Sequence, residues 1–358
     1  MAEVLTLTVE AADDGVRLDR WFRRRWPHLT NIQIQKLARS GQIRVNGGRA
    51  KAETRLPAGA QVRVPPLPEA TAIDRPATIS PREAAFARSL VLYEDDQVLA
   101  LNKPAGLAVQ GGTKTERHVD GLTLAWGEGL ERPRLAHRLD RDTSGVLVLG
   151  KSPAAAARLA GAFAHRRTQK IYWAIVAGVP KPQQGTIELA LAKRGVGDRE
   201  MMTPAGLKDP KAEPAVTDFS TLSRAGQTAA WLALRPVTGR THQLRAHLLA
   251  IGHPILGDPK YNTEGSQALS GALKLQLHAR RIVLPHPRGG ELVIEAPLSP
   301  EMRAGFDRFG FAEAEAPVDP FAALVRPRGP AAAKRGSRPS PPPAPGREPA
   351  APARGRPR

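Results

Sequence analysis

Cysteine is absent from all 358 residues, which removes disulfides, thiolate catalysis and Cys-ligated zinc together. No apolar run approaches the ~20 residues that a membrane-spanning helix needs. The N-terminus carries acids and alternates polar with apolar residues, unlike a signal peptide. These lacks predict a cytoplasmic protein. Acidic residues are the minority charge: 34 Asp and Glu stand against 53 Lys and Arg, for a formal net charge of +19. Such an excess favours a polyanionic partner, because basic side chains displace counterions from phosphates. The length is sufficient for two or three domains with a substantial core.

Residues 1–66 read as a small αβ module. Val4 to Val9 alternate like a half-buried strand. Leu18, Trp21, Phe22 and Trp26 have helical spacing. Thr30 and Gln33 form a candidate capping box for a second helix that turns Ile34, Leu37 and Ala38 inward and stops at Gly41. Ile43 to Gly48 is a strand entering an Asn-Gly turn, and Gln61 to Val64 closes the module. Residues 67–88, rich in Pro and Ala, read as a linker. Residues 89–311 read as a second domain, opened by a hairpin over Leu90–Leu101 with an acidic turn. The charged stretch Arg194–Pro214 reads as an exposed loop, and Pro300–Phe309 as a closing helix. From 312 to 358 the chain is Ala-, Pro- and Arg-rich, with too little apolar surface to offset ordering entropy, so a disordered tail is expected.

The stretch that organises the second domain is His137-Arg138-Leu139-Asp140-Arg141-Asp142-Thr143-Ser144-Gly145, followed by Val146-Leu147-Val148-Leu149. Four apolar residues, two of them β-branched, predict a buried strand, and a loop packed on such a strand presents its side chains rigidly. Asp142, beside Thr143 and Ser144, is expected to cap backbone amides. Upstream lies Asn102-Lys103-Pro104-Ala105-Gly106, and downstream lie the strand containing Lys170 and Tyr172, Thr238-Gly239-Arg240-Thr241-His242-Gln243-Leu244-Arg245 leading into a helix, and Leu277-His278-Ala279. His242 and His247 are five apart and so lie well off one helix face; together with His253 they predict hydrogen bonds made locally or to RNA, and not a metal site.

On these residues the chain resembles the RluA-type pseudouridine synthases, whose loops read H-R-L-D-x-x-T-S-G, N-K-P-x-G, K-x-Y-x-A, T-G-R-T-H-Q-x-R and L-H-A. The resemblance spans about residues 14–310. It implies an α+β architecture, with a mixed, mostly antiparallel catalytic sheet flanked by helices. It also implies isomerisation of uridine to pseudouridine in RNA, which needs neither cofactor nor metal. Asp140 falls on the catalytic aspartate, Tyr172 and Leu277 on the residues that hold the extruded base, and Arg245 on the arginine that pairs with the aspartate. Arg138 falls where a planar cation fills the space left by the flipped nucleotide. Residues 14–64 resemble the S4-type RNA-binding domain, which implies phosphate contacts from Arg20, Arg24, Gln35, Lys36, Arg39 and Arg44. The Gly111-Gly112 loop and the H-R-L-D-R-D-T-S-G-V-L wording favour large-subunit (23S) rRNA as substrate over tRNA, and a monomer is expected. Two other classes stay open. One is a catalytically inactive RNA-binding assembly factor. The other is a nucleoside hydrolase, whose Asp-rich metal cluster or Ser-His pair the sequence does not display.

Overall fold

The computed structural model describes residues 4–26, 29–67, 79–111, 117–128, 131–196, 199–206 and 208–324. Gly112 and the tail from 325 onward lie outside the described residues. The chain divides into two units, residues 1–90 with 110–134, and residues 91–109 with 135–358.

In the first unit, strands β1 (Leu5–Thr8), β2 (Arg44–Val45), β3 (Gly48–Arg49) and β4 (Gln61–Val64) form an antiparallel sheet in the order β1-β4-β2-β3. Helices α1 (Leu18–Arg25) and α2 (Asn31–Arg39) contribute Leu18, Trp21, Phe22 and Ile34 to one core with Ile43, Val62 and Val64. Both halves of the capping box form. Gln33 N donates to Thr30 Oγ1 at 3.2 Å, and Gln33 Oε1 accepts from Thr30 N at 2.7 Å. Asn46 (φ 48°) and Gly47 (φ 76°) make the tight turn between β2 and β3, which needs positive φ at both positions.

The linker expectation is corrected at its C-terminal end. Ser80 caps helix α3 (Pro81–Ser89) by a second capping box, with Glu83. Serine, proline at the first turn and glutamate three residues later are a helix start whose short apolar face hides it from periodicity. Residues 110–134, including α4 (Val119–Leu122), also cluster with this unit rather than with the second.

The second unit is built on β5 (Val91–Glu94), β6 (Val98–Lys103), the short β7 (Arg134–Leu135), β8 (Ser144–Gly150), β9 (Gln169–Ala177) and β10 (Gln184–Glu188). These are followed by β11 (Leu191–Val196), β12 (Arg199–Pro204), β13 (Val216–Ala225), β14 (Ala229–Pro236), β15 (Leu277–Pro285) and β16 (Glu291–Glu295). The main sheet runs β10-β13-β14-β9-β15-β8-β6-β5 and is antiparallel except where β15 meets β8. There β15 forks. Its start pairs with β8 at His278/Ser144 and Ala279/Gly145, and its end pairs with β16 from Arg281 onward. All of β8 is buried, as its unbroken apolar run requires of a strand covered on both faces.

Alternation along β9 sorts the core into two layers. Ile171, Trp173 and Ile175 face Trp231, Met302 and Phe306 of α8 (Pro300–Phe309). Tyr172, Ala174 and Val176 face Leu277 and the helix α6 (Gln243–Ala250), through Leu244 and Leu248. Helix α5 (Pro153–Ala164), capped by Ser152, adds Leu159 to the apolar cluster around β8, and α7 (Glu264–Ser270) follows α6.

Two further expectations are corrected. Arg194–Pro214 is not all loop, because β11 and β12 pair as a separate ribbon. Met201 and Met202 pack with Ala246 and Tyr261, which gives the charged hairpin an apolar footing. The ordered chain also runs past 312, since Phe311, Phe321 and Leu324 join the Trp231–Phe306 cluster. Phe321, with Leu324 beside it, anchors this polar segment to the cluster.

Candidate active site

The loop 137–143 is fastened at its start. His137 Nε2 accepts a hydrogen bond from Val148 N at 2.9 Å, and the ring stacks on Phe163 with centroids 4.2 Å apart. Burial pushes this imidazole down to about 3, so it is a neutral acceptor. Leu139 is buried. Arg138 and Asp140 on either side of it line a cleft of about 510 Å³.

A second loop braces the first from behind. Lys103 is fully buried, and its Nζ donates to the carbonyls of Pro104 (2.9 Å), Leu107 (3.0 Å) and Arg141 (2.9 Å). Those acceptors match the three N–H bonds of an ammonium. Burial lowers its pKa to about 8, against the opposing pull of Asp142 and Asp140. Gly106 N donates to Arg141 O at 2.9 Å and Arg141 Nε donates to Gly106 O at 3.0 Å. Asp142 caps no amide among the described residues, contrary to expectation, and instead lends its charge to Lys103. Gly145 permits the join of this loop to the sheet. Its φ is 108°, and a Cβ there would lie 2.2 Å from Ala279 O.

Tyr172 and Leu277 lie in the cleft wall, brought together by β9 and β15, where Ala174 pairs with Leu277 and Tyr172 with Ala279. Burial, reinforced by the Asp140 charge, pushes the Tyr172 phenol far above its ordinary value, so it stays protonated. Arg245 stands on α6 and is almost entirely buried. Its principal partner is one the sequence did not reveal. Nε and Nη2 donate to Asp258 Oδ2 and Oδ1 at 2.7 and 2.6 Å, while Nη1 comes to 4.0 Å from Asp140 Oδ2. Asp258 also accepts the backbone N–H groups of Lys260 and Tyr261. His242, in the left-handed region at φ 51°, places Nε2 3.9 Å from the same Asp140 Oδ2. The other histidines bond within the protein but not locally: His247 reaches Thr217 and Leu189, and His253 reaches Ala177, all on distant segments.

Asp140 is the one carboxylate among the residues lining this cleft, whereas Arg138, Arg166, Lys170, Arg240 and Arg245 are there as cations. Arg138, Arg166 and Lys170 make no side-chain hydrogen bond or ion pair among the described residues. A Ser-His pair does exist, which the sequence reading had missed. Ser144 Oγ lies 2.8 Å from His278 Nδ1, but both residues are buried away from the cleft, and burial holds His278 at about 4. It is a packing contact that β8 and β15 create across their parallel rungs. The six N-terminal residues expected at phosphates lie in the first unit and are exposed, and Arg24 is engaged by Asp13 at 2.8 Å.

The comparisons with known proteins identify the family. Residues 97–250 match the family described as RNA pseudouridylate synthase. The chain is 36% identical over 289 residues to an uncharacterised RNA pseudouridine synthase of Synechocystis sp., covering 78% of this chain and 84% of that protein. It is 35% identical to the ribosomal large subunit pseudouridine synthase C of Vibrio parahaemolyticus, over 80% of this chain and 91% of that protein. With the Escherichia coli K12 protein of the same name it shares 34% identity, over 82% and 93% of the two chains. Among solved structures, human RNA pseudouridylate synthase domain containing 4 superposes with a TM-score of 0.54 at 28% identity, covering 64% of this chain and 97% of that one. With a cleft holding one carboxylate among cations and with relatives matched over most of their length, the chain belongs to the RluA-type family of RNA pseudouridine synthases, which are isomerases.

Proposed function

We propose that this enzyme isomerises selected uridines of large-subunit (23S-type) rRNA, with Asp140 as the acting carboxylate on a flipped-out nucleotide. The observation that carries the reading is the isolation of Asp140 as the single acid in a cleft ringed by cations. A polyanion is drawn to such a site, and the carboxylate is then the one group there suited to act on the ribose-uracil unit. The N-glycosidic bond breaks, the uracil turns, C5 joins C1′, the C5 proton is lost and N1 gains one. Tyr172 and Leu277 supply the ring face and apolar wall for the base. The exposed Arg138, without a side-chain partner among the described residues, is placed to stack in the vacated duplex position. Ribosomal rather than transfer RNA is favoured by the large-subunit enzymes among the relatives. The basic first unit, read as an S4-type module, adds phosphate contacts through Arg20, Lys36, Arg39 and Arg44.

The test is chemical mapping of pseudouridine in 23S-type rRNA from a strain lacking the protein, complemented with wild type or with Asp140→Asn. The expected result is restoration of one to a few sites by wild type and of none by Asp140→Asn. Restoration by both would remove Asp140 from the chemistry. Sites appearing in tRNA instead would move the substrate. No site in either RNA would leave an inactive binding factor.

A further inference from the structure

Tyr261 is fully buried, yet its hydroxyl sits between two polar atoms. Met202 N donates to Tyr261 Oη at 2.9 Å, and Tyr261 Oη lies 3.0 Å from His242 Nδ1. A phenol has one proton to give, and buried donors are almost always satisfied. If His242 Nδ1 carried a proton, it and Met202 N would both donate to Oη, leaving the phenol proton without an acceptor. The satisfied arrangement has Tyr261 donating to an unprotonated Nδ1. The ring proton of neutral His242 is then on Nε2, the atom 3.9 Å from Asp140 Oδ2. Burial favours both neutral forms, lowering the His242 pKa and raising that of Tyr261.

Resting on the assignment of Asp140 as the acting carboxylate, we propose that His242 is a positioning residue. Its Nε2–H tautomer, set by Tyr261, directs a donor at Asp140 Oδ2. Arg245 Nη1 approaches that same oxygen at 4.0 Å. Two donors converging on Oδ2 leave Oδ1 as the oxygen turned to the nucleotide. Hydrogen bonds at catalytic groups are commonly long in unliganded sites and shorten when substrate binds. The relay ends at the backbone of β12, so the ribbon that lies outside the main sheet helps to fix the tautomer.

The experiment is a two-bond proton–nitrogen spectrum of the full chain labelled with 15N-histidine, with His242 assigned by its loss in His242→Gln. At neutral pH His242 is expected as the neutral Nε2–H form, and Tyr261→Phe is expected to populate the Nδ1–H form. An imidazolium or an Nδ1–H form in the wild type overturns the proposal, as does an unchanged tautomer in Tyr261→Phe. Single-turnover rates on RNA supply the second measurement. The amide nitrogen of Gln overlays Nε2 of imidazole, whereas that of Asn overlays Nδ1, so His242→Gln should exceed His242→Asn in rate by about tenfold. Asn is the better residue at this positive φ, so a purely structural role predicts the reverse order, and equal rates also sink the idea. Full activity in Asp140→Asn would instead refute the assignment beneath it, leaving the spectrum to report on the tautomer alone.

Discussion

Arg245 is held by Asp258, not by Asp140: two of its nitrogens lie 2.7 and 2.6 Å from Asp258, and the third is 4.0 Å from Asp140. A guanidinium offers its donors in a fixed fork. Once Asp258 takes one edge, the remaining nitrogen is aimed at Asp140 without the conformational freedom an arginine normally has. Asp258→Asn keeps the shape but leaves the buried cation uncompensated. The expected cost is about 3–5 kcal/mol in urea unfolding, with a fall of about tenfold or more in single-turnover rate. An unfolding free energy within error of wild type would show that this pair is not the anchor.

Lys103 predicts a different pattern. Lys103→Met keeps the apolar stem but strands the carbonyls of Pro104, Leu107 and Arg141, each orphaned group costing about 1–3 kcal/mol. Stability and rate should fall together, because Arg141 is the neighbour of Asp140. A variant with wild-type rate and a lower melting temperature would separate the brace from the chemistry.

Acid should weaken the fold through two histidines. Burial lowers His137 to about 3 and His278 to about 4, while both titrate near 6.5 when unfolded. Between pH 6.5 and about 4 the unfolded chain binds protons that the native chain refuses, so stability falls as pH falls. Each group adds a slope of up to about 1.4 kcal/mol per pH unit. Urea titrations at pH 7, 6 and 5 should show the decline, and His137→Gln, which keeps an acceptor for Val148 N, should flatten it. An unaltered slope in that variant would remove His137 from the account.

Gly145→Ala tests the junction of loop and sheet. Its Cβ would stand 2.2 Å from Ala279 O in a backbone of φ 108°. Overpacking and strain of about 1–3 kcal/mol each should combine. Soluble yield and thermal melting are the readouts, and a normally folded Gly145→Ala protein would contradict the closeness of β8 and β15.

The sequence displayed what is local. The apolar run after Gly145 announced β8, the Thr30–Gln33 capping box and the Asn46-Gly47 turn formed as read, and β9 set Tyr172 on the opposite face from Trp173. What stayed hidden depends on tertiary approach. Asp258 sits in a turn whose neighbours say nothing of Arg245, and Lys103, which takes the carbonyls of Pro104 and Leu107 from its own loop, finds the third at Arg141 only after the loops meet. The β11–β12 ribbon looked like a loop because its apolar anchors, Met201 and Met202, are adjacent residues among charges. Asp142 departs in the opposite way, since its local chemistry suits capping yet it caps no amide among the described residues, its charge only opposing the lowering of the Lys103 pKa.

The fork in β15 has a further consequence. Asp140 belongs to the part of the sheet formed by β8, β6 and β5, whereas Tyr172 and Arg245 follow the part running through β9 to β10. By backbone hydrogen bonding these parts meet at two rungs, Ser144/His278 and Gly145/Ala279. The reactive constellation therefore straddles a suture. Each flank can complete its own hairpins from neighbouring sequence, but the site exists only when distant stretches of chain close on each other. If the two flanks part before either unravels, amide exchange at Gly145 and Ala279 should lose protection ahead of the hairpins on both sides, and equal protection throughout would show that the suture opens only with global unfolding.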